Sequence, residues 1–437
     1  MRFTPWATRL VLTLSLSATA FLTACGGGGG SGSTAQVRLL NATQSYAQLD
    51  LTVNDKTINS KVAYATVGEY GGVDTNNTAT KVLTSDVGTS ISATTPTLSG
   101  GNNYTYISYG FAGAIRTSLL QEAETAPDTG KAKLLVLNLA PDAGALDVYV
   151  TASADALDTA TPVTSNLQGG SGSGYNLINA GTFRVRVTGY TKKGNDLRLD
   201  IPAITLDSAS VNTLILTATN GGVLVNGMQL VQKGAVKNYA NSLTRVRAVN
   251  ALAGTPIVAA SVNGNNILPA SLPPNTTDYY SFTAGASTTS ITVNSIPLTV
   301  GSPSFAAGGD YTLLIWGDAS APQLSVLSDD NRLPTVSGNV KMRLVNGLSV
   351  AGSVASLNID FQAQASNVLP GTSSAPVSIG SSTGSVVTVN SPLKVDALYN
   401  PSAGTSSGLT PLTANGVYTI FVMGDPNAPK GKLSKDR

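Results

Sequence analysis

The 437-residue chain contains no histidine, and this absence removes several classes of chemistry. Without imidazole there is no Ser-His-Asp triad, no histidine general base and no histidine-ligated metal site. The only cysteine is Cys25, so an intramolecular disulfide is excluded. Ser391-Pro392-Leu393-Lys394 has the spacing of a catalytic Ser–Lys pair, but Pro392 and the apolar run before it favour a strand or loop over the required helix. We therefore expect no enzyme, no cofactor and no metal site.

Charged residues are also scarce, at 11% of the chain, against about 25% in an average soluble protein. The formal charge of +2 comes from 26 basic and 24 acidic residues, and Arg2 and Arg9 lie before the cleavage site described below. The remaining chain is neutral, which gives no long-range field to attract nucleic acid or an anionic bilayer. A hydrophobic fraction of 42% argues against disorder. We expect no nucleic-acid partner.

The N-terminus carries a targeting segment. Arg2 and Arg9 precede an uncharged apolar run over residues 10–21, and Leu22-Thr23-Ala24-Cys25 follows. A basic start, a short apolar core and small residues at the end are typical of a secretory signal peptide. A transmembrane helix is one alternative, but a span needs about 20 apolar residues and this run is shorter. An ordinary cleaved signal that leaves a free thiol at Cys25 is the other.

Leu22-Thr23-Ala24-Cys25 resembles the lipobox of bacterial lipoproteins. The resemblance implies a signal peptide over residues 1–24, cleavage between Ala24 and Cys25, and lipidation of Cys25. Residues 25–35 then form a flexible Gly/Ser tether. Gly26, with no acidic residue beside it, resembles lipoproteins that are sorted to the outer membrane. We expect a membrane anchor through the lipid on Cys25. The sequence does not decide whether the anchored protein faces the periplasm or the cell surface.

The rest of the chain repeats itself. An apolar strand that ends in asparagine occurs four times, and a second strand that begins with Tyr-Thr and ends in glycine closes units one, three and four. Repeats of about 100 residues are each large enough for their own core. The sequence predicts four units with the borders 36–130, 131–241, 242–337 and 338–437. The four repeated asparagines are Asn41, Asn138, Asn250 and Asn346.

Within a unit the pattern is that of β-strands. Phe183–Thr188 alternates apolar and polar residues, and turn signals such as Asn263-Gly264 recur between short apolar runs. No sustained helical period is present. Six or seven short strands per unit predict an all-β protein of four tandem, immunoglobulin-like β-sandwiches.

The segment Ala140-Pro141-Asp142-Ala143 and the following strand Leu146-Asp147-Val148-Tyr149-Val150 resemble the DUF4397 family of secreted and lipid-anchored bacterial domains. Unit 2 matches the opening of that family best. The other units keep the first and closing strands but lack the Pro-Asp-Ala loop. The resemblance covers most of the chain and implies no active site.

Most repeated polar residues have a structural interpretation. We expect Asp318 and Asp425 to be turn aspartates rather than calcium ligands. The four repeated asparagines should cap the first strands, and Tyr104, Tyr311 and Tyr418 should pack with their hydroxyls on the backbone, as in a tyrosine corner. Two further predictions place Trp316 in a core and the repeated arginines on outward-facing strand positions; these arginines are Arg38, Arg247 and Arg343.

These observations predict a lipid-anchored envelope protein with a structural, adhesive or partner-binding role, whose partner is a protein or a glycan. The alternative is a carbohydrate-binding or carbohydrate-active protein that uses exposed aromatics and carboxylates. A glycan site requires two or three aromatics side by side on an open face, whereas a scaffold leaves Tyr279, Tyr280 and Tyr399 scattered. The sequence does not identify the ligand-binding residues.

Overall fold

The computed structural model describes residues 34–392, 394, 396–403 and 405–437. The predicted signal peptide, its cleavage point at Ala24 and Cys25, and most of the tether lie outside these residues. Apart from two short 3-10 turns, Pro141–Ala143 and Gly194–Asp196, all regular structure in the described part is β-strand. None of the helices in this part is long and apolar enough to cross a membrane.

The strands form four units, each built on two main sheets. Unit 1 pairs the sheet β4-β1-β7-β8 with the sheet β3-β2-β5-β6. Its strands are β1 (Thr34–Asn41), β2 (Gln48–Val53), β3 (Lys56–Ala63), β4 (Gly71–Asp74), β5 (Thr80–Thr84), β6 (Ser90–Thr94), β7 (Asn103–Tyr109) and β8 (Arg116–Gln121).

Unit 2 pairs the sheet β12-β9-β15-β16-β17 with the sheet β11-β10-β13-β14. Its strands are β9 (Lys131–Leu139), β10 (Leu146–Thr151), β11 (Thr164–Leu167), β12 (Ser171–Asn179), β13 (Gly181–Gly189), β14 (Leu197–Leu206), β15 (Ser210–Ala218), β16 (Val225–Val231) and β17 (Val236–Tyr239).

Unit 3 pairs the sheet β21-β18-β27-β28, which β22 also joins, with the sheet β20-β19-β24-β25, and β23 pairs with β26. Its strands are β18 (Leu243–Asn250), β19 (Val258–Val262), β20 (Asn265–Ser271), β21 (Asn275–Thr276), β22 (Tyr280–Thr283), β23 (Gly285–Ala286), β24 (Thr289–Val293), β25 (Ile296–Leu298), β26 (Ser304–Phe305), β27 (Asp310–Asp318) and β28 (Ala321–Asp329).

Unit 4 pairs the sheet β32-β29-β37-β38, which β33 also joins, with the sheet β31-β30-β35, and β34 pairs with β36. Its strands are β29 (Asn339–Leu348), β30 (Ala355–Ile359), β31 (Gln362–Val368), β32 (Thr372–Ser373), β33 (Val377–Gly380), β34 (Ser382–Ser385), β35 (Val387–Asn390), β36 (Thr410–Leu412), β37 (Val417–Gly424) and β38 (Lys430–Lys435).

The four units share one topology, which confirms the predicted all-β tandem sandwiches. In each unit the first strand lies parallel to the closing strand: β1 with β7, β9 with β15, β18 with β27 and β29 with β37. Every second residue of the first strand enters the unit's own core, because side chains alternate between the faces of a strand. In β1 these residues are Ala35, Val37 and Leu39.

The opposite faces of the same sheets are also buried, because the units pack in pairs. Leu40 and Ile107 of unit 1 share an apolar cluster with Leu135 and Ile215 of unit 2. A second cluster joins unit 3 to unit 4 through residues that include Val249, Leu314, Val345 and Phe421. Units 1 and 2 therefore form a first block, and units 3 and 4 form a second block.

The two blocks stack end to end. The loop after β15 lies at the end of unit 2 where the first strand β9 also ends. This loop contacts the loop before β27 of unit 3, where the Gly221 N–H donates to the Gly308 carbonyl at 2.8 Å. The backbone N–H of Leu333, just before unit 4, donates to Asp142 of unit 2 at 2.7 Å. In the second block the N–H of Gly424, at the end of β37, donates to the carbonyl of Ala251, just after β18, at 3.1 Å, so the first strands of units 3 and 4 point the same way. Thr34 therefore lies at one extreme of the stacked blocks, and the loops after β18 and β29 lie at the other.

Candidate functional site

A triad of arginine, threonine and an acid recurs in three units. The arginine lies on the first strand, the threonine lies opposite it on the closing strand, and the acid follows the threonine by 17 residues. The arginine Nε donates to the threonine hydroxyl at 2.9, 2.9 and 3.0 Å in the three units. The triads are Arg38–Thr105–Glu122, Arg247–Thr312–Asp329 and Arg343–Thr419–Asp436.

Units 3 and 4 exchange their acids across the interface. Arg247 of unit 3 binds Asp436 of unit 4 at 2.5 Å, and Arg343 of unit 4 lies 2.7 Å from Asp329 of unit 3. The contact is reciprocal, as in an isologous dimer interface, although both halves belong to one chain. The ring of Tyr279 covers Arg247 at 4.6 Å and its hydroxyl donates to Asp329 at 2.5 Å.

Burial and charge act against each other in this network. Burial alone would raise the pKa of Asp329, but the adjacent guanidinium groups of Arg343 and Arg247 hold that pKa below its ordinary value. Burial raises the pKa of the Tyr279 hydroxyl well above its ordinary value. Asp329 therefore stays charged and the Tyr279 phenol stays neutral. The arginine and aspartate side chains of the network are almost fully buried.

The interface between units 1 and 2 has the charged triad on one side only. Arg38 donates to both oxygens of Glu122 at 3.0 and 3.1 Å and to the Gly234 carbonyl of unit 2 at 2.9 Å. Leu135 and Gln232 stand in unit 2 where the other units have arginine and an acid, and Gln232 exchanges hydrogen bonds with the backbone of Glu124. Together with the Lys133–Glu124 ion pair, these polar contacts supplement the apolar cluster between units 1 and 2.

Two predictions, one on the repeated arginines and one on Trp316, are corrected by the contacts between units. Arg38, Arg247 and Arg343 do point out of their own sandwiches, but they are buried because a neighbouring unit covers that face. Trp316 lies between units 3 and 4 rather than in the core of unit 3. The ring of Trp316 packs so closely on Gly371 that a Cβ at that position would lie 2.4 Å from the indole.

The repeated asparagines are structural, as predicted. All four are fully buried. In units 2 and 4 the amide donates to two carbonyls of the opposite sheet and its loop, while Oδ1 accepts the backbone N–H two residues later. Asn41 makes the same three bonds, and Asn250 keeps one donor bond and the acceptor bond. Each asparagine therefore ties the two sheets of its unit together.

The tyrosine prediction is also confirmed. The hydroxyls of Tyr104, Tyr311 and Tyr418 each accept the backbone N–H of the residue five positions earlier, at 3.0, 3.0 and 3.1 Å. In unit 2, Asn212 occupies the equivalent place on the closing strand, opposite Leu134. The tyrosines thus fix the approach to the closing strand and are not available to a ligand.

The candidate acids of the sequence do not form a site. Asp425 accepts from the backbone and side chain of Asn427 in a turn, as predicted, and Asp318 is exposed at the end of its hairpin. Lys394 lies in a turn after β35, where its ammonium donates to the Pro426 carbonyl at 3.4 Å. The described residues contain no group of three or more acids or cysteines that could hold a metal ion.

A large open cavity lies where unit 2 meets units 3 and 4. This junction groove has a volume of about 740 Å³ and is lined by Tyr190, Lys192, Lys193, Arg198, Lys435 and Arg437, among others. The Pro-Asp-Ala turn of unit 2 forms one wall: Arg437 donates to the Pro141 carbonyl at 2.5 Å, and Arg198 donates to the Ala143 carbonyl. The sequence offers no signal for this groove, because its residues come from distant parts of the chain.

The aromatic residues considered for a glycan site divide between two places. Tyr279 and Tyr280 line the junction groove together with Tyr190, whereas Tyr399 lines a separate cavity beside Gly431. Tyr279 is committed to Arg245, Arg247 and Asp329. Tyr190 and Tyr280 therefore supply the accessible aromatic surface of the groove.

A family model described as a domain of unknown function (DUF4397) matches residues 35–149 and 244–357. Each match begins where a block begins and ends within the second strand of that block's second unit. The two matched segments together make up just over half of the chain. No curated protein matches the chain. The chain therefore belongs to the DUF4397 family.

Proposed function

We propose that this is a lipid-anchored protein of the bacterial outer membrane that holds a partner-binding surface away from the bilayer, without catalysis. The anchor rests on the lipobox-like sequence that ends in Cys25. Residues 26–33 then join the lipidated cysteine to Thr34 at one extreme of the stacked blocks. A lipid contributes membrane affinity of roughly 0.8 kcal/mol for each buried methylene.

The observation that carries the partner-binding role is the position of exposed apolar side chains. Within the part of the chain that the structure describes, five of the twelve large exposed apolar residues lie in the loops and strand ends at the extreme opposite Thr34. We call this surface the far end; its residues are Ile257, Leu272, Ile296, Val350 and Leu369. A small cavity between the loops of units 3 and 4, lined by Leu252, Pro273 and Met423, lies beside them.

Distance keeps the far end out of reach of the chain's own anchor. Strands of eight to ten residues rise about 3.3 Å per residue, so two stacked blocks place the far end about 60 Å from Thr34. The tether from Cys25 to Thr34 extends at most about 30 Å. An apolar surface held this far from the membrane suits a partner protein better than the lipid to which the chain is tied.

Two experiments test the parts separately. Cys25→Ser should abolish lipid labelling and release the protein from membranes, and an unchanged membrane fraction would contradict the anchor. Protease treatment of intact cells, with a periplasmic control protein, should then decide between the cell surface and the periplasm.

The partner surface is tested with a photo-crosslinking residue at Val350. We expect a discrete adduct in cells that is lost when Ile257, Leu272 and Leu369 are all changed to serine. The matched control places the crosslinker at Leu177 of unit 2, which is 62% exposed and remote from the far end. Equal adducts from both positions, or none from Val350, would contradict the proposal.

Carbohydrate binding is a second candidate function, and the junction groove favours it. The accessible surfaces of Tyr190 and Tyr280 line one cavity of about 740 Å³, which is within the range of about 300–1,000 Å³ found for small-molecule sites.

A further inference from the structure

We propose that the junction groove binds an acidic oligosaccharide, one that carries carboxylate or sulfate groups. This inference rests on the second candidate function, carbohydrate binding, and specifies the class of sugar. It does not depend on the anchor or on the far end.

The charge of the groove is the first argument. Six cationic and three acidic side chains line it, in a chain whose formal net charge is only +2. The positive excess is therefore local and cannot be a consequence of overall composition. Walls of low dielectric concentrate such a field at the mouth of a cleft and favour entry of an anion.

Most of the cations have no carboxylate partner. Arg245 is paired with Asp310 at 2.5 Å and Arg198 with Asp196 at 3.0 Å. Within the described part of the chain, the other four form no salt bridge; they are Lys192, Lys193, Lys435 and Arg437. Lys193 donates to the carbonyls of Asp158 and Ala160 and lies 5.4 Å from the centre of the Tyr149 ring. Of the acids, Asp436 is already bound to Arg247.

Arg437 is the cation that would gain most from an anion. Burial, together with the nearby charges of Arg198 and Arg245, lowers its pKa to about 10 despite the opposing effect of Asp142. Among the residues that the structure describes, its guanidinium donates to one acceptor, the Pro141 carbonyl, so most of its five donor hydrogens have no acceptor there. A carboxylate or sulfate is the planar or multidentate acceptor that arginine binds best.

The aromatic lining makes a saccharide a better fit than a bare anion. Tyr190 is 45% exposed and lines the groove together with Lys192 and Lys193. A tyrosine offers an apolar face and a polar hydroxyl, which suits the apolar and polar surfaces of a sugar ring. The cavity is also far larger than one phosphate or sulfate requires.

The test compares probes of equal length that differ in charge. Binding of a galacturonate tetrasaccharide, a sulfated tetrasaccharide, a neutral maltotetraose and inorganic phosphate is measured by calorimetry on the full chain at 50 mM salt. We expect an acidic tetrasaccharide to bind at least tenfold more tightly than maltotetraose or phosphate, with an affinity that falls as salt is raised.

Variants then assign the binding to the groove. The double variant Lys192→Gln, Lys193→Gln should weaken binding of the acidic tetrasaccharide at least fivefold, whereas the exposed control pair Lys56→Gln, Lys61→Gln should leave it unchanged. Tyr190→Ala should weaken the tetrasaccharide but not phosphate. Arg437→Gln should weaken both, and thermal unfolding checks that each variant is folded.

Each other result overturns the inference in a distinguishable way. Equal binding of maltotetraose would keep carbohydrate binding but exclude the acidic sugar. Binding of phosphate as tightly as the tetrasaccharide would make the groove a simple anion site. Absence of binding by all four probes would exclude both the inference and the carbohydrate function, while the anchor and the far end would still stand on their own tests.

Discussion

The guanidinium of Arg247 in unit 3 lies 2.5 Å from the carboxylate of Asp436 in unit 4, although 189 residues separate them. Arg343 and Asp329 form the reciprocal pair, so each unit supplies the counterion for the arginine of the other. A buried pair of this kind adds little net stability relative to apolar residues, but removing one partner leaves an uncompensated charge.

The first prediction concerns that network. Asp329→Asn should lower the free energy of unfolding by about 3 kcal/mol, because two buried arginines lose their shared counterion. The exposed control Asp425→Asn should change it by less than about 0.5 kcal/mol. Urea denaturation followed by circular dichroism measures both, and equal midpoints would show that the network is not a stabilising contact.

The second prediction concerns the bridging asparagines. Asn138→Ala removes two donors and one acceptor from the fully buried end of β9, and unsatisfied buried groups of this kind should cost about 2–4 kcal/mol. Asn238→Ala, at an exposed position on β17, is the matched control. A loss of stability that is the same for both variants would argue against the bridge.

The third prediction concerns the tyrosine corners. Tyr418→Phe keeps the packed ring but leaves the backbone N–H of Thr413 without its acceptor, so the expected cost is about 1–2 kcal/mol. Tyr190→Phe should be neutral, since that side chain is half exposed. Thermal unfolding of the two variants beside the unchanged protein measures the difference.

The fourth prediction concerns the unit as a folding element. A fragment from Thr244 to Thr335 should fold alone, because unit 3 has its own core, and a disordered spectrum would contradict the four-unit organisation. It should nevertheless unfold at a lower temperature than a fragment over residues 242–437, because isolation exposes Val249 and Leu314 and leaves Arg247 without Asp436. Equal melting temperatures would show that the block interface contributes nothing.

The fifth prediction concerns acid. Arg332 and Lys341, acting against burial, lower the pKa of Asp330 to about 2 from its ordinary 3.8. A depressed carboxyl pKa contributes stability that is present above the unfolded pKa and is lost as pH falls through the folded one. Unfolding free energies measured between pH 5 and pH 2 should therefore fall by about 1 kcal/mol more in the unchanged protein than in Asp330→Asn, after allowance for partial exposure. Parallel curves would contradict this.

Some features of the site are local in sequence and could be predicted. In units 1, 3 and 4 the tyrosine at the start of the closing strand accepts a backbone N–H from five residues earlier, and the asparagine of each unit accepts from the residue two positions later. The triad also has a signal in the sequence, because an acid follows the threonine by 17 residues in three units. This spacing places the threonine and the acid on the same face of a hairpin. That signal becomes informative only when the arginine is known to face the same way.

The amino-acid sequence alone determined the all-β class, the repeated sandwiches and the residues that close each unit, because period-2 patterns and turn residues act over short distances. It also showed that Arg38, Arg247 and Arg343 share one strand position. Only the tertiary structure decided that these outward faces are buried and that Lys192 and Arg437 meet in one groove. A strand pattern specifies which side chains leave a sheet, but whether they meet water or another sandwich depends on packing between units far apart in the chain.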